Sequence, residues 1–472
     1  MRAVHVAAVD LGATSGRVIV GSLQAGRIRL TEVHRFANAF RNLGARSYWD
    51  IPYLWDEVRR GLVQARRSFP RLASVGVDSW AVDHVLLGGD GRPVYPVHAY
   101  RDPRTGPLSR QLDGKGLKKL YRLTGVPNYP YNTSLQLAET LEAAPGLAKS
   151  ARHCLFVSDY FNYLLSGRMA NELSIASHSQ LLSASEADWS PAALRHFGIP
   201  AGWFKRPLTS PRGLGSVRGL TELKGIKTTL VPGHDTASAF ASMPADPAGA
   251  DLYLSTGTWS LIGCESERPL LGDDALAARI SNERMGDGRF RPLRSCLGLW
   301  LLERLLVSLG LKPAGARDWK ALIDAAAATR TPAAALDVTD RSLFSPPDMK
   351  AAIEAQLRRR RLPAPKTTAE WIRLVLHSLA LGHADGVRQF ERLTGRRFNR
   401  ILIVGGGSRN ALLCQATADA AGVPVVSFAL EGSAMGNVGS QLIALGELEN
   451  LAALRHSLTT HLPQQRYAPS AG

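Results

Sequence analysis

At 472 residues the chain is too long for one ordinary core, and two domains are expected. Its 45% hydrophobic content excludes a disordered chain, and apolar runs such as Leu299-Trp300-Leu301-Leu302 fall far short of the ~20 residues of a membrane span. The 57 basic residues outweigh 40 acidic ones for a net charge of +17, yet they are scattered rather than interleaved with aromatics, which predicts a basic surface open to anionic small molecules and no nucleic-acid partner.

No secretory signal is read in Met1 to Val9, and the four cysteines (Cys154, Cys264, Cys296, Cys414) lie too far apart for a zinc or redox motif. A reduced, cytoplasmic protein with buried thiols and no membrane partner is the expectation. Ala3 to Val9, Arg17 to Leu23 and Arg27 to Phe36 read as a three-stranded meander. Asp50 reads as an N-cap and Pro52 as a first-turn residue of a helix running to about Arg67. Ala73 to Val77 follows as a buried strand, and Val82 to Leu87 with Pro93 to Val97 flank the turn Gly88-Gly89-Asp90-Gly91 as a hairpin. Helices are read over Ser134 to Ala144 and Tyr160 to Leu165, and Ser190-Pro191 opens another.

Small residues and prolines from Ser242 to Gly249 mark a boundary, dividing the chain into domains 1–243 and 244–472. Beyond it, Asp251 to Leu254, the turn Ser255-Thr256-Gly257-Thr258 and Trp259 to Gly263 repeat the strand–turn–strand opening of the chain. That repetition suggests an internal duplication. Helices near 298–310, 349–361 and 368–394 precede a strand Ile401 to Val404, a glycine turn with a helix start at Gly405 to Asn410, and a strand Val423 to Phe428. Such alternation predicts α/β layers with parallel pairing.

Four clusters carry chemistry. The hairpin turn Asp10-Leu11-Gly12-Ala13-Thr14-Ser15-Gly16-Arg17 is no Walker loop, but its glycines, hydroxyls and Arg17 suit phosphates, and Asp10 suits magnesium. In Gly233-His234-Asp235-Thr236, Asp235 either takes a hydroxyl proton from a bound alcohol or merely caps a helix, and His234 is the other candidate base. The small residues after Thr236 suit a helix packed close to other backbone. The run Gly405-Gly406-Gly407 lets a nucleotide approach bare backbone at a helix start. Asp78-Ser79-Trp80-Ala81-Val82-Asp83-His84 mixes aromatic, carboxylate and imidazole groups as a sugar-binding edge does, and Asn132, Asp159 and Tyr160 are further polar residues in apolar surroundings.

Taken in order, these stretches resemble the FGGY carbohydrate kinase family, and within it the kinases of the ketose L-rhamnulose. The resemblance runs from Val6 to about Glu447 and includes Ala99 to Thr105, Asp159 to Tyr163, Ser255 to Leu261 and Gly298 to Leu302. It implies two ribonuclease H-like domains of the actin-like ATPase type, mixed sheets flanked by helices, with a cleft between them. ATP would lie on the C-terminal domain and the sugar on the N-terminal one. By the same resemblance Asp235 is the catalytic base, and Trp80, Ala81, Asp83, His234 and Thr236 meet the sugar. Ala13, Thr14, Ser15, Gly16, Arg17, Thr258, Ser295, Glu303, Gly405, Gly406 and Gly407 meet the nucleotide, with Asp10 on Mg²⁺. Two departures stand out: Trp80-Ala81-Val82-Asp83-His84 where the family pattern reads Trp-Gly-Val-Asp-Phe, and Ser295 and Glu303 where Asn and Gln are expected. A monomer or homodimer is expected. Kinases of L-fuculose, xylulose, glycerol or an autoinducer are alternatives, as is a non-catalytic actin-like ATPase.

Overall fold

The computed structural model describes the chain except residues 1–2, 113, 247–248, 429–430 and 471–472. Two of the residues on which the predicted boundary segment rests, 247 and 248, thus lie outside the described residues. The chain forms two compact units. The first comprises residues 1–244, 265–292 and 431–461, and the second 245–264, 293–430 and 462–472. A single cut at 243/244 therefore does not follow the compact units. Two later segments join the first unit, because Glu265–Pro292 and Glu431–His461 make their contacts there.

In the first unit, β1 (Val4–Leu11), β2 (Ser15–Gln24) and β3 (Arg27–Ala37) form the expected meander, which continues through β4 (Leu72–Ser79), β5 (Arg212–Ser216) and β6 (Lys227–Leu230). The spatial order is β3-β2-β1-β4-β6-β5. β1 runs antiparallel to β2 and parallel to β4, β4 runs parallel to β6, and the edge strand β5 is antiparallel. β1 and β4 are nearly continuous apolar runs because both of their faces are covered. The helix Ile51–Ser68 supplies one cover, burying Leu54, Val58 and Leu62 against Val9, Val18 and Val20. Its start is as predicted: the Asp50 carboxylate accepts the Tyr53 amide hydrogen at 3.1 Å, with Pro52 in the first turn.

The second unit repeats this plan. β7 (Asp251–Thr256), β8 (Trp259–Gly263), β9 (Phe290–Leu297), β10 (Arg400–Val404), β11 (Val425–Phe428) and β12 (Gln464–Tyr467) take the order β9-β8-β7-β10-β11-β12. Again an antiparallel meander leads to a central strand, followed by two parallel neighbours and an antiparallel edge. The duplication suggested by two glycine turns thus extends over six strands of each sheet, the second sheet carrying a further strand, Ser281–Arg284, beside β9. The long helix Thr368–Thr394 opens with a capping box between Thr367 and Glu370 and packs Trp371, Val375 and Leu379 against Leu301, Leu305 and Ile353.

Two local expectations differ. His84–Leu87 is a strand, but its partner is His153–Phe156 and not Pro93 to Val97, which makes only a single bridge from Pro93 to Leu87. Pro93 and Pro96 have no amide hydrogen to give a ladder. A hairpin of Phe40–Leu43 with Arg46–Trp49, turning at Gly44 with φ +60°, went unread.

Candidate active site

Three neighbouring parallel strands of the first unit end in carboxylates. Asp10 closes β1 and lies in register with Asp78 of β4. β6 leads through Val231-Pro232-Gly233 to Asp235, the first residue of the helix Asp235–Ala241. Backbone bonds tie these ends together: Ser79 N–H donates to Gly233 O at 2.9 Å, and Trp80 N–H to Leu11 O at 2.9 Å. Carboxyl ends of parallel strands are where α/β sheets hold their ligands.

The helix after Asp235 is made of small residues, and the reason is visible. It packs on the helix Gly432–Ala444, where any Cβ at Gly436 would run into the Ser238 carbonyl oxygen. Ser242 Oγ donates to Gly432 O at 2.9 Å at the same contact. The helix Gly432–Ala444 also brings polar groups to the strand ends. Ser433 Oγ donates to Asp10 Oδ2 at 2.8 Å, and Asn437 Nδ2 donates to Asp78 Oδ2 at 2.6 Å. Asp78 Oδ1 stays buried without a donor. Burial, reinforced by the charges of Asp10 and Asp235, holds the Asp78 carboxyl well above the ordinary range.

Asp235 is different, with its side chain 32% exposed. Its Oδ1 accepts from the Thr236 amide at 2.5 Å and the Thr236 hydroxyl at 3.0 Å, and His234 Nε2 lies 3.3 Å away. Oδ2 has no protein donor among the described residues. Burial raises this carboxyl above its usual value; His234 and the Thr236 donors pull it down and Asp10 pushes it up. A carboxylate with one oxygen anchored and the other free is arranged to accept a proton.

The remaining sequence candidates of this unit divide. The turn after β1 is pinned by Gly12 N–H to Ser15 O at 3.0 Å and by Asn38, which donates its side-chain amide to Gly12 O at 2.7 Å. Thr14 is exposed there, Ala13 and Ser15 partly so, and Gly16 is covered by the Phe36 ring. Arg17 is bound to two carboxylates, Asp10 at 2.6 Å and Glu431 at 2.8 Å. Trp80 and Ala81 are buried, and Asp83 is wholly enclosed. The Asp83 carboxylate accepts from Trp49 Nε1 at 2.6 Å, Trp80 Nε1 at 2.9 Å, the Tyr100 amide at 3.1 Å and Gln136 Nε2 at 2.9 Å. Burial lifts its pKa to about 6 against these donors. Asp83 therefore serves as a structural anchor for the loop carrying Trp80 and Ala81. Between them Val82 is held at φ +69°, a left-handed conformation that β-branched residues avoid, with Thr133 Oγ1 donating to its carbonyl at 2.8 Å. His84 faces a small cavity beside Arg104, and burial and that guanidinium push its pKa down to about 3. Asn132 and Asp159 are buried polar groups, Asn132 donating to Pro127 O at 2.8 Å and Asp159 accepting the Glu172 amide at 3.1 Å.

In the second unit the glycines crowd one turn. An added Cβ at Gly405, whose φ is +86°, would meet Thr256 O at 2.5 Å, and one at Gly298 would meet Gly257 O at 2.5 Å. Gly407 lies against the Thr256 side chain. Thr258, Gly405 and Gly406 are exposed, as are Ser295 and Glu303. Behind the turn, Ser260 Oγ lies 3.2 Å from His383 Nε2. The bare backbone after β10 thus borders the turn between β7 and β8, and both offer polar groups to solvent.

Sequence reasoning missed Ser433, Asn437 and Gln441, and also Glu283 and Arg291. The first three sit at intervals of four on one face of a glycine-rich helix, a polar stripe, buried at Asn437 and Gln441 and partly buried at Ser433, that was the available signal. Glu283 and Arg291 carry no local motif.

Comparison with known proteins matches both halves of the chain. The family model of the N-terminal domain of the FGGY family of carbohydrate kinases matches residues 5–240, and that of the C-terminal domain matches residues 252–445. The chain is 38% identical over 470 residues to the rhamnulokinase of Pectobacterium carotovorum subsp. carotovorum, covering 99% of this chain and 93% of that one. It is 39% identical over 472 residues to the rhamnulokinase of Klebsiella pneumoniae subsp. pneumoniae, covering 97% and 94%. Among solved structures, gluconate kinase from Lactobacillus acidophilus aligns with a TM-score of 0.81 at 14% identity, covering 99% and 94%. Plasmodium falciparum glycerol kinase with ADP aligns with a TM-score of 0.81 at 13% identity, covering 98% and 94%. At such identities the structures speak for the fold alone, two ribonuclease H-like units of the actin-like ATPase type.

Proposed function

The chain belongs to the FGGY family of carbohydrate kinases, and from that premise we propose that it transfers the γ-phosphoryl group of ATP to a primary hydroxyl of L-rhamnulose, giving L-rhamnulose 1-phosphate and ADP. The observation that carries the chemistry is the half-free carboxylate of Asp235 at the end of β6. The hydroxyl proton passes to Asp235 Oδ2 as the alcohol oxygen bonds to the γ-phosphorus. The bond from that phosphorus to the β,γ-bridging oxygen breaks, and its electron pair leaves with ADP. Placement and charge stabilisation supply most of the acceleration in such transfers.

The residues present fit Mg²⁺. Asp10 and Asp78 offer hard oxygens, the buried Asp78 Oδ1 has no donor, and a cation would relieve the crowding of negative charge that raises Asp78. Asp10 and Asp78 would hold the ion, which would neutralise charge on phosphate oxygens. In the first unit, Thr14 and the neighbouring turn are the proposed phosphate contacts; in the second, Thr258 and Gly405 to Gly407 are the proposed nucleotide contacts. The assignment of L-rhamnulose rests on relatives that match along nearly their whole length.

ADP release measured across about ten ketoses and polyols tests the reading. L-rhamnulose should give the highest kcat/KM. A clear preference for xylulose, glycerol or gluconate would reassign the substrate, and ADP release indifferent to any sugar would remove the kinase function.

A further inference from the structure

Behind Asp235 lies a buried group of charged and imidazole side chains that the reaction as described does not use. Arg291, at the start of β9 and within the segment 265–292 that belongs to the first unit, is fully buried, and it is the bulkiest such side chain among the described residues. Its Nη2 donates to Glu283 Oε2 and to His234 Nδ1, the latter at 2.7 Å, and its Nε donates to Arg284 O at 3.2 Å. His178 stacks on His234 with ring centroids 5.2 Å apart, and its Nε2 lies 3.8 Å from Glu283 Oε1. His178, His234 and Glu283 stand close enough to hold a metal ion, but the guanidinium already occupies their shared acceptors.

A guanidinium has no lone pair to offer. A hydrogen on His234 Nδ1 would therefore point at another hydrogen across 2.7 Å. Glu283 Oε2 also lies 3.2 Å from Nδ1 and would accept a hydrogen there, but the guanidinium is nearer, at 2.7 Å, and can only donate; Nδ1 therefore presents its lone pair to it, and the ring proton sits on Nε2, which faces Asp235 Oδ1 at 3.3 Å. We infer that Arg291, held by Glu283, is a positioning residue that fixes the Nε2–H tautomer of His234 and so anchors one oxygen of Asp235, leaving Oδ2 free to take the substrate proton. His234 then works through Asp235 rather than as a base. Burial favours the neutral ring, since it lowers the His234 pKa. The groups that face this ring or its partners are Asp235, Glu283, Arg291 and His178, with Glu172 acting on Arg291 and Asp10 and Asp78 acting on Asp235.

Nitrogen-15 NMR of histidine-labelled full-length protein, with His234 assigned by comparison with His234→Gln, tests the tautomer without any assay. The Nε2–H form throughout the neutral range is expected; an Nδ1–H or doubly protonated ring would overturn the inference. The kinetic arm rests on the ketose-kinase reading. There, Arg291→Met should lower kcat about tenfold to a hundredfold while the ketose KM moves less than about twofold, and Arg291→Lys should recover part of the loss. Folded Arg291→Met with unchanged kcat would equally overturn it. If Arg291→Met fails to fold, Arg291→Lys and the wild-type spectrum decide. Wild-type protein inactive on every ketose would sink the functional reading instead, leaving the tautomer result intact.

Discussion

Asp235 is legible in the sequence as an acid at a strand-to-helix junction, but sequence leaves it as either base or cap. The geometry supports the proposal of a base. The carboxylate contacts Thr236 and His234, and its second oxygen faces no protein donor among the described residues. Asp235→Asn keeps the shape and removes the proton acceptor, so turnover should fall by about 10²–10⁴-fold with the thermal midpoint unmoved. The pH dependence follows from the raised carboxyl pKa. A base must be ionised, so kcat/KM should decline as pH falls through a value above that of an ordinary carboxylate. An acid limb at or below the ordinary range would show that Asp235 is not the titrating group. Asp83 teaches the opposite lesson. Its place in a family-like string suggested sugar contact, yet four donors and complete burial make it an anchor. Residue type and spacing cannot tell a satisfied carboxylate from a free one, because the donors come from positions 49, 80, 100 and 136.

At the scale of elements, the strands were legible where apolar and β-branched residues ran continuously, as in β1, β4 and β10. The small-residue helix after Asp235 was also read as closely packed. Its partner was not, since Gly432–Ala444 lies almost two hundred positions further on and joins the first unit only through the fold. Gly436 measures how close that packing is. Gly436→Ala places a methyl inside the Ser238 carbonyl contact and should cost about 1–3 kcal/mol in urea unfolding. It should also lower kcat, because the same helix presents Ser433 to Asp10 and Asn437 to Asp78. Unchanged stability would mean that the two helices do not need this approach. Gly405 belongs to the same class in the second unit. At φ +86° and against Thr256, Gly405→Ala is strained twice over, and the KM for ATP should rise more than that for the ketose.

For the whole molecule, the sequence showed a duplication through two weakly similar turns, and six strands of each sheet repeat the same order and strand directions. What it could not show is that residues 265–292 and 431–461 complete the first unit, since long-range contact leaves no local pattern. Buried histidines make a prediction for the entire fold. Burial lowers the pKa of His84 to about 3 and of His383 to about 4. Both rings stay neutral in the fold and take a proton once unfolded, so their contribution is full above the ordinary histidine value and is lost as pH falls below it. At about pH 5 each should cost about 2 kcal/mol, and the thermal midpoint should drop accordingly. A midpoint flat between neutrality and that pH would contradict the assignment of neutral buried rings. Phosphoryl transfer turns on one oxygen of one carboxylate. Phosphorus-31 NMR of ATP and L-rhamnulose with wild-type protein and with folded Asp235→Asn tests it most directly. A sugar 1-phosphate resonance that grows with the wild type and is nearly absent with Asp235→Asn is the expected result, and equal growth with both proteins would contradict the account.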